Sequence, residues 1–174
     1  MNREPRIVNR ESRIVIPIKD KPTKQSASTF EDLEVYQVAR EFRKTMYRVA
    51  KELPDIEKFG LASQMRRAAL SLTNNIAEGH GRYHYLDQIK FTLQSRGSLE
   101  ELIDDLNTCG DEQYLPADRV DCLKQKGWRL RQLIDGYIGY LREQKKSDAS
   151  SSAQEASPLY GVMAAIGDDS RFSI

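Results

Sequence analysis

The chain has 174 residues, with 27 Lys or Arg, 26 Asp or Glu and a formal net charge of +1. This length supports one domain with a hydrophobic core, and two full domains are not expected. There is no stretch of about 18 apolar residues and no apolar signal-peptide region, so we expect a cytoplasmic protein with no membrane association. The two cysteines, Cys109 and Cys122, lack a paired metal-ligand spacing, which argues against a zinc module or a disulfide scaffold.

Charge is distributed unevenly along the chain. Residues 1–28 hold seven basic and three acidic residues, residues 29–146 hold nineteen of each, and residues 147–174 hold one basic and four acidic residues. We therefore predict three segments. These are a basic, extended or disordered arm over 1–28, a folded body over 29–146, and a disordered or docking C-terminal tail over 147–174.

The body begins with a helix-start signal. Ser28 and Glu31 have the spacing of a capping box, in which a hydroxyl and a carboxylate satisfy free backbone amides. An apolar stripe at steps of three and four residues follows, and it predicts a long first helix that Pro54 ends. The stripe consists of Leu33, Tyr36, Ala39, Phe42, Met46, Val49 and Leu53.

Three further apolar stripes predict three further helices. The second helix ends near Gly79 and Gly81, and the third starts near Tyr85. Asp118 caps the fourth. Gly97 lies inside the third helix at a cost of up to about 1 kcal/mol, so we expect a neighbouring helix to approach closely there. Together the pattern predicts an all-α protein, an antiparallel up-and-down four-helix bundle with flexible N- and C-terminal tails.

A polar stripe lies beside the apolar face of the predicted second helix. Buried polar groups without a partner cost about 1–3 kcal/mol each. We therefore interpret the stripe as a hydrogen-bonding network that holds the helices in register, and not as a catalytic site. The predicted structural network comprises Arg67, Ser71, Asn75, Glu78 and Arg82 of this stripe together with Glu101 of the third helix.

The two histidines, His80 and His84, define an enzymatic alternative. Helical-bundle RNases place an arginine a few residues before a histidine, where it stabilises phosphate charge, but asparagines stand five and six residues before His80. Glycines on both sides of His80 predict a broken backbone, which argues against a shared metal site. We predict no catalytic residue, no metal and no cofactor. The alternative is a degenerate RNase that uses His80 or His84 with Arg82 or Arg67.

Basic residues form candidate nucleic-acid contacts in the arm and on the outward side of the first helix, and a further basic set, Lys124, Lys126, Arg129 and Arg131, lies on the fourth helix. Because the body as a whole is neutral, an ordinary solvated face is the competing interpretation. The candidate nucleic-acid-binding residues are Arg3, Arg6, Arg10, Arg13, Arg40, Arg43, Lys44 and Arg48.

Several short motifs together resemble one protein family. They are FEDL at residues 30–33, FGL at 59–61, QMRRA at 64–68, NIAEG at 75–79 and GSLEEL at 97–102. On these motifs the chain resembles the four-helix bundle protein family, also called the S23 or intervening-sequence protein family, over about residues 29–145. That family includes proteins encoded within inserts of 23S ribosomal RNA genes and the accessory variability determinant proteins of diversity-generating retroelements.

The resemblance implies a small bacterial, cytoplasmic protein without catalytic activity that forms a ring-shaped homo-oligomer, a pentamer. In the retroelement branch it also implies binding to a reverse transcriptase and to nucleic acid through a basic surface. The neutral body departs from that basic surface. We therefore expect a non-enzymatic homopentameric scaffold that binds a protein partner, with a reverse transcriptase and RNA or DNA as candidate partners.

Overall fold

The computed structural model describes residues 29–155, with side chains up to residue 150. This part of the chain forms four helices, α1 (Glu34–Glu52), α2 (Leu61–His80), α3 (Tyr85–Asp111) and α4 (Ala117–Glu155). Short 3-10 turns, Phe30–Asp32 and Asp55–Glu57, precede α1 and α2. The predicted all-α class and four-helix bundle are confirmed. The predicted arm over 1–28, and the part of the predicted tail after residue 155, lie outside the described residues.

The helices pack in a closed order in which each contacts its two neighbours. α2 packs on α1 and α3, and α4 packs on α3 and α1. Along α2, Gln64 contacts Asp105 of α3 whereas Ser71 contacts Ser98, so these two helices run in opposite directions. α1 and α3 therefore lie across the core from each other.

Each helix contributes its apolar stripe to one core. The helical period of 3.6 residues brings positions three and four apart to the same side, where they are removed from water. Met46, Met65, Leu102 and Leu130, one from each helix, are fully buried. α1 ends at Glu52, because the approaching proline cannot continue the backbone hydrogen bonding.

The start of the body is displaced by one residue from the predicted capping box. Thr29 is the capping residue in place of Ser28, and its hydroxyl accepts a hydrogen bond from the backbone N–H of Glu31 at 3.2 Å. In return, the carboxylate of Asp32 accepts from the backbone N–H of Thr29 at 3.1 Å. The same chemistry therefore begins the short turn that leads into α1.

α4 differs from the prediction at both ends. It begins at Ala117, so Asp118 lies in the first turn, where its charge favours the helix dipole, and is not the cap. It also continues to Glu155, whereas the predicted body ends at residue 146. Residues 142–155 contain neither glycine nor proline, so nothing in the backbone stops the helix beyond the buried Leu141.

The close approach predicted at Gly97 is wrong, because no atom lies within 4 Å of a Cβ built there. Two other glycines mark the close approaches. A Cβ on Gly79 would lie 3.1 Å from the Cβ of Phe91 and 3.2 Å from the carbonyl oxygen of Gln88. A Cβ on Gly127 would lie 3.2 Å from a side-chain carbon of α3. Gly79 therefore permits the contact between the backbones of α2 and α3.

The two glycines of opposite environment form a matched pair for mutation. Gly79→Ala should lower the free energy of unfolding by about 1–3 kcal/mol, because the added methyl group meets backbone that cannot move without disturbing the packing. Gly97→Ala should raise it by about 0.5–1 kcal/mol, because alanine is the better residue in an open helical position. Urea denaturation followed by circular dichroism measures both, and equal destabilisation would contradict the assignment.

Candidate functional site

The polar residues between α2 and α3 form a hydrogen-bonded strip, here called the α2–α3 seam. The hydroxyl of Ser98 donates to Oγ of Ser71 at 2.8 Å, and the side-chain amide of Asn75 donates to the same oxygen at 3.1 Å. The buried Ser95 hydroxyl donates to the backbone carbonyl of Leu72 at 2.7 Å. Ser71 and Asn75, two members of the predicted network, therefore lie in this seam.

The other predicted members lie on the surface. Glu78 and Arg82 form an ion pair in the last turn of α2 and beyond it, and the Arg82 guanidinium also lies 4.7 Å from the centre of the Phe91 ring. Arg67 and Glu101 are exposed and line one depression of about 450 Å³. Because exposed ion pairs contribute little stability, these residues hold the register far less than the seam does.

Sequence reasoning missed three members of the seam, the buried Ser95 and Asp105 and the exposed Gln64. The side-chain amide of Gln64 donates to Oδ1 of Asp105 at 2.9 Å, which links α2 to α3 one helical turn from the end of the predicted stripe. A usable signal was present, because Ser95 and Ser98 are three residues apart on the buried side of α3.

Asp105 is the one buried side chain in the described part of the chain with an unsatisfied polar atom. It is 2% exposed, and its Oδ2 has no hydrogen-bond partner. Burial raises the pKa of this carboxyl most, the hydrogen bond from Gln64 lowers it, and the nearby Glu101 and Asp104 raise it. The net result is a pKa of about 6, against an ordinary value of 3.8. An ionised Asp105 therefore opposes folding at neutral pH.

His80 and His84 lie on either side of the turn between α2 and α3. His80 is in the last turn of α2 and half-buried, whereas His84 is exposed and precedes α3. Arg82 lies between them, and its guanidinium already contacts Glu78 and Phe91. The two histidines therefore do not lie on one helix face. The arginine between them, Arg82, already has two partners within the same chain.

The described residues contain no group of three or more His, Cys, Asp or Glu side chains arranged to hold a metal ion. None of the described helices is both long and apolar enough to cross a bilayer. Cys109 is buried, and burial raises the pKa of its thiol to about 11, which keeps it protonated and unreactive. Cys122 is exposed.

The basic residues predicted on α1, with the exception of Arg40, border a groove, here called the α1–α2 basic face. Arg40, Lys44 and Arg48 are exposed, whereas Arg43 is half-buried and donates to the hydroxyl of Thr73 at 2.8 Å. A hydrogen bond from Lys44, at 2.6 Å, holds the pKa of Glu41 below its ordinary value. The groove, of about 680 Å³, is lined by Glu41, Arg43, Lys44, Tyr47, Arg48, Lys51 and Leu70. The arm candidates, Arg3, Arg6, Arg10 and Arg13, lie outside the described residues.

Two large apolar side chains project from the turn between α1 and α2, and we call them the apolar knob. Ile56 is 83% exposed and Phe59 is 88% exposed. The turn that carries them is held from within, because Glu57 accepts hydrogen bonds from the backbone N–H of Leu61 at 2.9 Å and from the hydroxyl of Tyr114 at 3.1 Å. The knob is therefore an apolar surface presented on an ordered support.

Asp105→Asn tests the energetic role of the seam's unsatisfied carboxylate. The pKa of Asp105 is higher in the folded than in the unfolded chain, so its protonation favours folding and its ionisation above about pH 6 opposes it. The amide variant imitates the protonated form. At pH 7 it should be more stable than the wild type by about 1–3 kcal/mol, and the difference should shrink as the pH falls and disappear below about pH 3, where Asp105 is protonated in both states.

Chemical denaturation across this pH range measures the difference between the two proteins. The matched control is Asp121→Asn, which removes an exposed carboxylate of α4 that does not act on the pKa of Asp105. A less stable Asp105→Asn protein at pH 7 would contradict the assignment.

Comparison with known proteins identifies the family of the chain. The sequence profile described as 23S rRNA-intervening sequence protein matches residues 31–136, which cover α1, α2, α3 and much of α4. No curated protein matches the chain. Among solved structures, the chain is similar to a protein with unknown function from the S23 ribosomal protein family from Bacteroides thetaiotaomicron VPI-5482.

The two chains share 19% identity with a TM-score of 0.56, and the alignment covers 60% of this chain and 97% of that chain. At this identity the likeness shows the shared fold alone. The family profile, however, spans more than half of the chain and the helices that form its core. The chain therefore belongs to the 23S rRNA-intervening sequence protein family.

Proposed function

We propose that the protein is a non-enzymatic cytoplasmic scaffold in which copies assemble into a ring, a homopentamer, that binds a protein partner. The observation that carries this proposal is the apolar knob. Ile56 and Phe59 are almost fully exposed on a turn that is itself well anchored. Exposed apolar groups on an ordered support favour binding, because little conformational entropy is lost when a partner covers them.

The size of the knob is sufficient for a binding anchor. Burying one large apolar side chain contributes about 1.5–3 kcal/mol, and interfaces commonly depend on a few such residues near their centre. A reverse transcriptase of a diversity-generating retroelement is the partner we propose. The family resemblance supports this choice.

Nucleic acid is the second ligand that we propose for the scaffold. Phosphates would contact the arginines of the arm, Arg3, Arg6, Arg10 and Arg13, with the α1–α2 basic face as a further contact. Such contacts act mainly through release of counterions and not through base recognition. A ring increases their number, since each copy contributes its own set of arginines.

The mass in solution tests the scaffold. Light scattering at micromolar concentration should give about five times the 20.0 kDa of one chain. The double variant Ile56→Ser/Phe59→Ser should keep this mass, because the proposed knob faces the partner and not another copy. It should also bind the reverse transcriptase at least tenfold more weakly, a loss of about 1.4 kcal/mol.

The control is Leu86→Ser, which removes an exposed apolar side chain next to the opposite turn. A strictly monomeric wild type would contradict the assembly. Equal affinity of the knob variant and the control for the reverse transcriptase would contradict the knob as the partner contact.

Binding of labelled single-stranded RNA at increasing salt tests the nucleic-acid part. The association constant should fall steeply with salt. Replacing Arg3, Arg6, Arg10 and Arg13 by alanine should reduce the slope of log K against log salt by about 3, at roughly 0.7 for each lost phosphate contact. An Arg40→Ala/Lys44→Ala variant measures the contribution of α1 separately.

Absence of binding at low salt would refute the nucleic-acid part and leave the scaffold untouched.

The same RNA, analysed for length with and without His80→Ala, tests the alternative of a degenerate RNase that uses His80 or His84. Cleavage that depends on His80 would establish that alternative.

A further inference from the structure

The neutral body consists of helices of opposite charge. α3 carries six acidic residues against two basic ones, a net charge of −4, whereas α1 carries five basic residues against three acidic ones, a net charge of +2. Apart from the buried Asp105, these charged side chains reach the surface. Because α1 and α3 lie across the core from each other, the two helices carry unlike surface charge on opposite sides of the bundle. One copy therefore presents complementary surfaces in opposite directions.

The outward side of α3 is an acidic stripe with an apolar member, which we call the α3 acidic face. Its exposed residues recur at steps of three and four, as expected for one side of a helix. Leu93 is 41% exposed, and no atom lies within 4 Å of a Cβ built on Gly97. The face comprises Leu93, Gly97, Glu101, Asp104, Thr108 and Asp111.

The acidic groups of this face are not neutralised within the described part of one copy. The ion pairs of α3 involve Arg96 and Glu100, which point toward α4. Glu101, Asp104 and Asp111 form none. Their charge is thus available to a partner that brings cations.

The α1–α2 basic face has the complementary character. It has four cations, Arg43, Lys44, Arg48 and Lys51, against the single carboxylate of Glu41 among its lining residues. Apolar surface lies among these charges, since Leu70 is 44% exposed and Tyr47 lines the same groove. The face therefore suits a helix that presents carboxylates around one leucine.

We infer that the α3 acidic face of one copy docks on the α1–α2 basic face of a second copy. This inference rests on the proposed assembly and names its interface. Leu93 meets Leu70 and Tyr47, and Glu101 and Asp104 meet Lys44 and Arg48.

Such a contact joins two different faces and is therefore heterologous. Every copy contacts one neighbour through its α3 acidic face and the other neighbour through its α1–α2 basic face. Contacts of this kind close into a ring when the rotation between copies allows it, and they otherwise produce an open chain. Complementary charges guide the encounter and fix the pairing, while the apolar centre contributes affinity. Since the charges lie at the rim, the assembly should weaken with increasing salt.

Charge reversal on each face tests the pairing. One variant carries Lys44→Glu/Arg48→Glu and the other carries Glu101→Lys/Asp104→Lys. At the protein concentration at which the wild type is assembled, the mass of each variant alone in light scattering should fall from about five chains to about one chain of 20.0 kDa. Circular dichroism confirms that each remains helical.

Mixing the two variants should restore association, seen as masses above that of one chain. A ring of five has an odd number of contacts, so it cannot close with the two variants in strict alternation, and the expected products are alternating pairs, open chains or even-numbered rings. The first retains a native acidic face, which fits the native basic face of the second, and the two reversed faces fit each other. The control, Lys145→Glu/Lys146→Glu, makes the same charge change on the exposed distal part of α4 and should keep the wild-type mass.

The outcomes separate this inference from the proposed function. A wild type that assembles, with a mass that neither reversal changes, would overturn the interface and leave the scaffold in place. Dissociation without recovery on mixing would likewise overturn the pairing. A first variant that loses RNA binding but keeps its mass would show that the basic face binds nucleic acid and not a second copy. A monomeric wild type would overturn both proposals.

Discussion

The register between α2 and α3 is the constraint on which every surface of the bundle depends. Gln64 bonds to Asp105 near one end of the seam, and Ser71 bonds to Ser98 nearer the other. A shift of one residue would turn each group by about 100°, since a helical turn has 3.6 residues. Each unpaired group would then cost about 1–3 kcal/mol. Gly79 allows the backbones to approach closely enough for these short side chains to meet.

Helix number, order and most boundaries follow from local chemistry, which is why they could be predicted. Apolar spacing places α3 at Tyr85, and Pro54 ends α1 as expected. The failures concern contacts between segments. A mid-helix glycine signals a cost, but the sequence does not show which helix lies beside it. Gly79 could be interpreted only as a helix end, and Gly97 was assigned the contact that Gly79 makes.

The sequence predicts that a polar network joins the helices, but it identifies only some of the residues that form the α2–α3 seam. Ser71 and Asn75 lie in it, whereas Arg67 and Glu101 reach solvent, because a rotation of one position around α2 or α3 separates a buried group from an exposed one. The distribution of charge over the surface could not be predicted from the sequence either. A neutral sum over the body argued against a charged surface, yet the helices differ strongly and the fold places α1 opposite α3.

Assembly through the α3 acidic face would also act on the buried seam. Asp105 lies one turn from Glu101 and next to Asp104, and both charges raise its pKa after the larger effect of burial. Cations of a second copy placed against Glu101 and Asp104 would offset that repulsion and lower the pKa of Asp105. Assembly and ionisation of Asp105 are then linked, so each favours the other by the same free energy. A carboxylate that opposes folding of the single copy would in this way be better tolerated in the assembled protein.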